Sequence, residues 1–330
     1  MNIFPLIAIG SGSINQNGDL LDVRYHLIVN KENQELHNKL EFNYGSYNNL
    51  ESLLSNTAES QSQKEALRKE LSSKANKKLI IHQISNDEAI RDIRDSYLKL
   101  HLLSLRISKP NTLNLEGIFA NLPNNAWTNL GPIDLGELDS IRLKNENIFV
   151  KSVDKFPCMT DYIIPSGVRI ADASRVRLGA YLAEGTTVMH EGFINFNAGT
   201  LGAAMIEGRI SAGVVIGQNS DLGGGCSTMG TLSGGNDIKI SVGEDCLLGA
   251  NSGLGIPLGD RCIVEAGLYL TGGSKVEVLN SEGKIIDTIK ASALSGKDDL
   301  LFIRNSLTGA IQCRPNKKSV VLNESLHNND

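Results

Sequence analysis

The sequence predicts a mainly β protein: a parallel β-helix of hexapeptide repeats, preceded by an N-terminal α/β domain and followed by a short C-terminal β cap. Three observations predict this fold class. Branched aliphatic residues recur every six positions from residue 168 onward, a small residue follows most of them by four positions, and the chain has 33 glycines. Neither an α-helix (period 3.6) nor a flat strand (period 2) gives a six-residue period, whereas the stacked short strands of a β-helix do.

The repeat has two classes of position. The aliphatic positions, which we expect to fill the interior of the coil, are Ile170, Val176, Leu182, Val188, Ile194 and Ile206; then, after a slip of four residues, Ile210, Ile216 and Leu222; then Val242 and Leu248; and after a second slip Leu258, Val264, Leu270 and Val276. The small positions, where the wall bends, are Ser174, Ala180, Thr186, Gly192, Ala198, Ala204, Ser220, Cys226, Cys246, Ser252, Cys262 and Ser274, with Val214 and Leu268 as bulky exceptions. Residues 229–241 fit no hexad and predict a loop on the working face.

The regions outside the repeat give the domain boundaries: residues 1–150 for the α/β domain, 151–280 for the β-helix and 281–330 for the cap. In the first region we expect strands at Ile7–Ile9 and Leu20–Val29 around a turn at Asn17-Gly18. Residues 48–76 are polar with helical spacing, and the charge-rich part from Ser60 to Asn76 predicts a solvated helix or a mobile loop. An amphipathic helix is predicted from Asp87 through Ile107, with a core-facing stripe of Ile90, Ile93, Tyr97, Leu100, Leu103 and Ile107. The cap is predicted to contain strands at Lys284–Lys290, Leu300–Arg304 and Val320–Leu322.

Composition excludes several classes of partner. A net charge of −5 argues against nucleic acid, because the chain has no basic excess to meet phosphates. No run of about 18 apolar residues predicts a membrane-spanning helix, and the N-terminus lacks the basic region of a signal peptide. The five cysteines form no CxxC pair and no zinc-ligand spacing, which is typical of a reducing compartment. We therefore expect a cytoplasmic protein.

The longest specific segments extend beyond the hexad pattern. They are DKFPCMTDYIIPSGVRIADASRVRLGAYLAEGTTVMHEGFINFNAGTLGAAMIEGRISAGVVIG, DLGGGCSTMGTLSGG, LLGANSGLGIPLGD and VEAGLYLTGG, with YLKLHLLSLR and WTNLGP upstream and KASALSG and RNSLTGAI downstream. From about residue 90 to the C-terminus, the chain resembles the longer-chain branch of the tetrahydrodipicolinate N-succinyltransferase family. The resemblance implies that the β-helix is left-handed.

The resemblance also implies an activity and an assembly. It implies a homotrimer with active sites between neighbouring subunits, where a succinyl group passes from succinyl-CoA to the amine of L-2-amino-6-oxopimelate, the open form of tetrahydrodipicolinate. That step belongs to lysine and diaminopimelate biosynthesis. The substrates are small molecules.

Residue by residue, the match implies roles within the site. Glu207, in MIEGRIS, matches the catalytic carboxylate, which could take the ammonium proton as a general base or attack the thioester to form an acyl anhydride. Arg209 lies two residues on, on the same side of its strand, and its planar fork suits a carboxylate. The positions that match the binding site for the CoA arm are Gly224, Ser227, Ala250, Glu265, Ala266 and Gly273. Those that match its nucleotide end are Lys290, Ile303, Arg304, Asn305 and Ser306.

Two further residues need separate treatment. Glu191 matches a position that, in some family members, helps to bind Mg²⁺ on the trimer axis, but the second carboxylate position is Ser174 here. The site thereby loses half its protein charge, so we expect at most a weak ion or a water. His190 could be a general base, as in other hexapeptide acyltransferases, but the resemblance places it near the axis, so we interpret it as structural.

Three alternatives stay open. The chain could be a hexapeptide acyltransferase with another donor or acceptor, such as a tetrahydrodipicolinate N-acetyltransferase. A zinc hydrolase on a β-helix needs three histidines per metal, and His190 alone lies in the repeat region. A non-catalytic β-helix predicts no affinity for CoA.

Overall fold

The structure is a computed structural model, and it describes residues 3–30, 61–73, 76–232 and 238–316. The chain divides into two compact units. One comprises Met1–His101 and Leu113–Pro157, and the other comprises Leu102–Thr112 and Cys158–Asp330. Compactness alone does not show which part folds independently, so the division into three domains stays a prediction.

Where the structure describes it, the first unit contains two small antiparallel sheets. One has the strand order β2-β1-β3 and the other β5-β4-β6. Their strands are β1 (Leu6–Ile14), β2 (Leu20–Asn30), β3 (Lys77–Ile84), β4 (Asn125–Thr128), β5 (Gly131–Asp134) and β6 (Val150–Asp154). The two predicted strands are confirmed, and Gly18 takes the left-handed conformation (φ +85°) in the turn between them.

The α-helices in the described residues are α1 (Gln61–Ser73), α2 (Ile93–Ser104), α3 (Ile118–Asn121) and α4 (Leu138–Lys144). All belong to the first unit except for the end of α2, which from Leu102 belongs to the second. Helix α1 confirms the helical alternative for its part of 48–76, whereas residues 48–60 lie outside the described residues. Most of α1 is exposed, but Leu67 is buried in a cluster with Ile7, Ile9, Leu27 and Val29. Because most of the α1 side chains that the structure describes are exposed, the sequence of this helix looks solvated.

The predicted helix from Asp87 through Ile107 is wrong in its extent and in its amphipathic character. Helix α2 begins at Ile93, because Asp92 accepts the free backbone N–H groups of Arg94 (2.8 Å) and Asp95 (3.3 Å). It ends at Ser104, and Arg106 follows in the left-handed conformation (φ 62°). All ten residues of 95–104 are buried, whereas Ile107 of the predicted stripe is 41% exposed. Packing on every side overrides the apolar stripe.

The second unit is a left-handed parallel β-helix, which confirms the predicted fold class. Its short strands form three sheets. The first contains β7 (Arg169–Ile170), β9 (Thr186–Val188), β12 (Ala204–Ile206), β15 (Ser220–Leu222), β18 (Leu247–Leu248) and β20 (Ile263–Val264). The second contains β8 (Tyr181–Leu182), β11 (Gly199–Thr200), β14 (Val215–Ile216) and β17 (Ser241–Val242). The third contains β10 (Phe193–Ile194), β13 (Arg209–Ile210), β16 (Ser227–Thr228), β19 (Gly253–Gly255) and β21 (Tyr269–Thr271).

The strand register explains the slips in the hexad pattern. Thr187 lies opposite Met205 and Met205 opposite Asp221, so successive turns of the coil take 18 and then 16 residues. A turn of 16 residues shortens one hexad to four, which is the slip at Ile210. The aliphatic positions from Val176 onward are buried, as are the small positions from Ala180 to Leu268. Both classes therefore face the interior.

One segment leaves the repeat, and another, from before the repeat, runs along the coil. Thr231 and Lys239 form an antiparallel bridge, so the chain departs from the coil as the interrupted hexads predict; residues 233–237 lie outside the described part. Residues 102–112 run along the coil, where Ser104 Oγ donates to Ala180 O (3.1 Å) and Asn111 Nδ2 donates to Gly213 O (2.9 Å).

The cap continues the first sheet of the coil. Its strands are β22 (Lys275–Leu279), β23 (Ile285–Lys290), β24 (Leu300–Arg304) and β25 (Ile311–Pro315). Strand β24 pairs in parallel with β20, with Phe302 opposite Val264, and therefore covers the last turn. Strands β23 and β24 confirm two of the predicted cap strands. Strand β25 was not predicted, and Val320–Leu322 lie outside the described residues.

Candidate active site

One corner of the coil brings most of the predicted site residues into register. The backbone N–H groups of Glu207, Gly223, Gly249 and Glu265 donate to the carbonyls of Leu222, Leu248, Val264 and Phe302, over 2.8–3.0 Å. Each residue therefore stacks on its counterpart one turn later. From Gly224 onward, the next residues along the chain form a parallel column, which we call the corner column: Gly224, Ala250, Ala266 and Arg304. Gly208 lies outside this column, because Arg209 N donates to Cys226 O and Gly208 therefore stacks on Cys226. Three steps at the spacing of adjacent strands give the column a length of about 14 Å.

Glu207 directs its carboxylate at the corner column. It directly follows β12 and is half-buried. A methyl group placed on Gly224 would lie 3.5 Å from Glu207 Oε2, which is ordinary van der Waals contact. The carboxylate thus borders the part of the column formed by Gly224, Ala250 and Ala266, whose side chains are no larger than a methyl group. A long, narrow ligand could approach both.

Arg209 and Ser227 lie side by side on the adjacent face. They are register partners on β13 and β16, and Arg209 is exposed. Between Gly224 and Ser227, burial raises the pKa of the Cys226 thiol to about 12, and the negative charges of Asp221 and Glu207 add to the shift. Cys226 therefore stays protonated and inward-facing and offers no competing nucleophile.

The far end of the corner column holds the residues that match the nucleotide end. Glu265 Oε2 accepts a hydrogen bond from the backbone N of Arg304 (2.6 Å), so this carboxylate anchors the segment 303–306. Asn305 Oδ1 then accepts from Leu307 N and Thr308 N, which shapes the loop after it. Ile303 is half-buried, and Arg304 and Ser306 are exposed. This geometry gives Glu265 and Asn305 a structural task that the sequence did not reveal.

Gly273 and Lys290 also lie together. The N–H of Ala291 donates to Ser274 O (2.8 Å) and that of Ser292 donates to Gly272 O (3.1 Å), so the chain after Lys290 brackets Gly273. Lys290 is exposed at the end of β23. A cationic side chain there could reach an anionic group passing over Gly273.

The predicted metal position does not fit a magnesium site in this chain. Ser174 Oγ donates to Asp172 Oδ1 (2.7 Å), which leaves Glu191 as the carboxylate of the expected pair. In the described part of the chain, one group of three side chains could hold a metal ion: His82, Asp92 and Asp95, in the other unit. Arg91 and Arg94 already pair with its two carboxylates.

Sequence reasoning missed two large side chains beside this corner. A methyl group on Gly253 would overlap the ring of Tyr269, and one on Gly255 would lie 2.8 Å from Met229 Sδ. Tyr269 and Met229 therefore cover β19 from both sides. Because the hexad pattern classes all outward positions as solvent-facing, only the two glycines of β19 could have signalled this packing. Met189 N donates to Ile206 O, so Met189 stacks on Glu207, and the exposed His190 that follows it lies at the same corner one turn earlier.

Comparison with known proteins agrees with these features. Residues 239–272 match the family model described as hexapeptide repeat of succinyl-transferase, and residues 122–157 match tetrahydrodipicolinate N-succinyltransferase middle. The 2,3,4,5-tetrahydropyridine-2,6-dicarboxylate N-succinyltransferase of Pseudomonas aeruginosa is 61% identical over 255 residues, which cover 76% of this chain and 74% of that protein. The protein of the same name from Vibrio cholerae is 57% identical over 260 residues, 78% of this chain and 76% of that protein.

A solved structure is also similar. The crystal structure of a putative 2,3,4,5-tetrahydropyridine-2-carboxylate N-succinyltransferase from Campylobacter jejuni aligns with a TM-score of 0.83 at 32% identity, covering 97% of this chain and 94% of that one. Across the described residues, no helix has the length and apolar character needed to span a membrane. The identity to the curated relatives and the coverage of their length show that the chain belongs to the tetrahydrodipicolinate N-succinyltransferase family.

Proposed function

We propose that this enzyme transfers the succinyl group of succinyl-CoA to the amine of L-2-amino-6-oxopimelate, in lysine and diaminopimelate biosynthesis, with Glu207 as the catalytic carboxylate. The observation that supports it best is the place of the Glu207 carboxylate beside Gly224, at one end of the corner column, where a methyl group added to the glycine would lie 3.5 Å from Oε2. The arm of CoA is long and carries amides, and small residues let it approach backbone N–H and C=O groups closely. The names of the homologous enzymes supply the acyl group and the acceptor.

Two routes start from this carboxylate. As a general base, Glu207 takes the ammonium proton and releases it to solvent, and the free amine attacks the thioester carbonyl carbon. Glu207 then takes the second proton from the attacking nitrogen and passes it to the thiolate that departs as the C–S bond breaks. As a nucleophile, Glu207 attacks the thioester carbonyl carbon, the C–S bond breaks, and the acyl anhydride forms as the CoA thiolate leaves and takes a proton from solvent. The free amine then attacks the succinyl carbonyl of the anhydride, which releases the Glu207 carboxylate, and the proton lost from the nitrogen passes to that carboxylate. Both routes need the carboxylate near the thioester and a site closed to water.

Arg209 supports a succinyl donor over an acetyl donor. It is exposed on the strand that follows Glu207 and can form a bidentate pair with a carboxylate of the donor or the acceptor. A site for an acetyl group would instead close this position with an apolar side chain.

The assembly and the compartment belong to the same proposal. The half-open site, with Glu207 half-buried and Arg209 exposed, is consistent with a homotrimer in which a neighbouring subunit completes each cleft. All five cysteines are free and four are buried, which favours the reducing cytoplasm. No step of the reaction is routed through a metal, because Ser174 and Glu191 do not provide a magnesium site.

Steady-state turnover with succinyl-CoA and with acetyl-CoA tests the donor. We expect kcat/KM for succinyl-CoA to exceed that for acetyl-CoA by at least about tenfold. In Arg209→Ala the ratio of the two kcat/KM values should be smaller, because the variant lacks the guanidinium that pairs with the free carboxylate of the succinyl group. Preference for acetyl-CoA would support the acetyltransferase alternative. If a calorimetric titration detects no binding of CoA, the result would support the alternative of a non-catalytic β-helix. Light scattering after size exclusion tests the trimer.

A further inference from the structure

Both outward-facing positions of strand β19 are glycines. Gly253 and Gly255 face outward, and Leu254 between them is fully buried. Glycine in a strand interior lowers stability and often marks a place where another group approaches closely. Here the approaching groups belong to the chain itself.

The first of these groups is the ring of Tyr269. It lies one turn after Gly253 in direct register, and an alanine Cβ at Gly253 would overlap Cδ2 and Cε2 of the ring. The ring therefore leans back along the coil toward the turn that carries Ser227. Although it packs against β19, Tyr269 stays 48% exposed. One face of the Tyr269 ring thus packs on Gly253, and the other face is exposed.

The second group is the thioether of Met229, which approaches from the opposite side. Met229 N donates to Leu254 O (2.8 Å), and its Sδ would lie 2.8 Å from a methyl group on Gly255. A flexible, polarisable thioether and a rigid ring together make an apolar surface over β19.

This surface borders the corner column. Ala266 belongs to the column and precedes Tyr269 by three residues, and Ser227 precedes Met229 by two. The ring and the thioether are thus attached to the same two turns that carry Ala266 and Ser227. A ligand along the corner column has backbone on one side and needs an apolar wall on the other.

We propose that Tyr269, seated on Gly253, is the apolar wall of the donor site and binds the methylene and amide arm of CoA. The inference rests on the proposed function, since it needs the donor to lie along the corner column. It gives Gly253 a positioning role: any side chain there displaces the ring without removing it. Met229 completes the wall beside Gly255.

Three variants test this binding role: Tyr269→Ala, which removes the ring, Tyr269→Phe, which keeps the ring and removes the hydroxyl, and Gly253→Ala, which displaces the ring. Calorimetric titration with CoA should show a dissociation constant about tenfold higher for Tyr269→Ala and for Gly253→Ala, and a nearly unchanged one for Tyr269→Phe. Tyr181→Ala, an outward tyrosine on β8, is the matched control and should bind CoA as the wild type does.

Kinetics separate a binding role from a structural one. For Tyr269→Ala we expect KM for succinyl-CoA to rise about tenfold, with kcat and KM for the amine acceptor nearly unchanged, because the ring contacts the arm and not the reacting atoms. Melting temperatures and the oligomeric state of each variant identify any that fail to fold. If Gly253→Ala does not fold, the CoA affinity of Tyr269→Ala decides whether the ring binds the donor. If the wild type binds CoA and Tyr269→Ala binds it equally well, this inference is wrong while the proposed function stands. If the wild type binds no CoA, the proposed function fails first.

Discussion

The two compact units bury polar groups in opposite ways. In the first unit, helix α2 carries Asp95, Lys99 and His101 into the interior, and each is held by several hydrogen bonds. In the coil, the interior is aliphatic with small residues at the bends, and the charged residues of the candidate site stay at the surface. The first unit therefore depends on its buried polar groups for stability, whereas the coil is free to use its charged residues for chemistry. Substitutions should accordingly damage stability in one unit and activity in the other.

Lys99 should give the largest effect on stability. Its Nζ donates to Asp87 Oδ1 (2.7 Å), Glu88 O (2.6 Å) and Asn114 O (2.6 Å), and the side chain is 1% exposed. Lys99→Ala leaves these acceptors without a donor and should lower the free energy of unfolding by about 3–5 kcal/mol. Urea unfolding followed by the fluorescence of Trp127, in the same unit, measures it. Exposed Lys144→Ala is the control, and an equal effect from both would contradict the comparison.

His101 should make the stability of the first unit depend on pH. Its Nδ1 donates to Tyr97 O (2.7 Å), its Nε2 accepts from Tyr25 N (3.3 Å), and burial lowers the pKa of the imidazole from 6.5 to about 4. As the pH falls, the unfolded chain therefore takes up the proton first. The contribution of neutral His101 is complete above pH 6.5 and is lost as the pH falls through 4, up to about 3 kcal/mol.

Unfolding of the wild type and of His101→Gln between pH 7 and pH 4 isolates this contribution. The difference between the two proteins should shrink by most of that amount over the range, because the glutamine does not titrate. A constant difference would show that His101 is not held neutral.

A substitution at Glu207, in the coil, should lower activity and leave stability unchanged. Glu207→Gln keeps the size of the side chain but removes the base and the nucleophile, so kcat should fall by about 100-fold or more. The unfolding transition and the oligomeric state should be those of the wild type, since the carboxylate lies at the surface corner. Near-normal turnover in a folded variant would remove Glu207 from the mechanism.

Adjacent glycines offer the finest separation of structure from function. Gly225 has φ +71° and no room beside Asn251 Oδ1, so Gly225→Ala should cost about 1–2 kcal/mol of stability. Gly224 is not in that conformation and has room for a methyl group, 3.5 Å from Glu207 Oε2. Gly224→Ala should therefore fold normally but raise KM for succinyl-CoA severalfold. Thermal melts and donor kinetics of both variants test it, and a reversed pattern would place the donor elsewhere.

The same contrast explains what the sequence could predict. In the coil, each aliphatic position, such as Val188 or Leu222, packs on its counterpart one turn away, so local spacing in the sequence determines the packing. For the same reason, each slip of four residues in the sequence corresponds to a turn of 16 residues. In α2, burial comes from elements distant in the chain, and no period in the sequence reveals that Lys99 and His101 lie inside. Tyr269 was missed for a related reason: its place depends on glycines in a neighbouring turn. Glu207 was found by resemblance, because spacing alone does not distinguish it from other outward carboxylates.

A crystal structure with CoA bound tests the central claim most directly. We expect the arm of the cofactor to lie along Gly224, Ala250 and Ala266, with its sulfur near the Glu207 carboxylate and its phosphates toward Lys290 and Arg304. A cofactor bound on another face of the coil, or one whose sulfur points away from Glu207, would contradict the account.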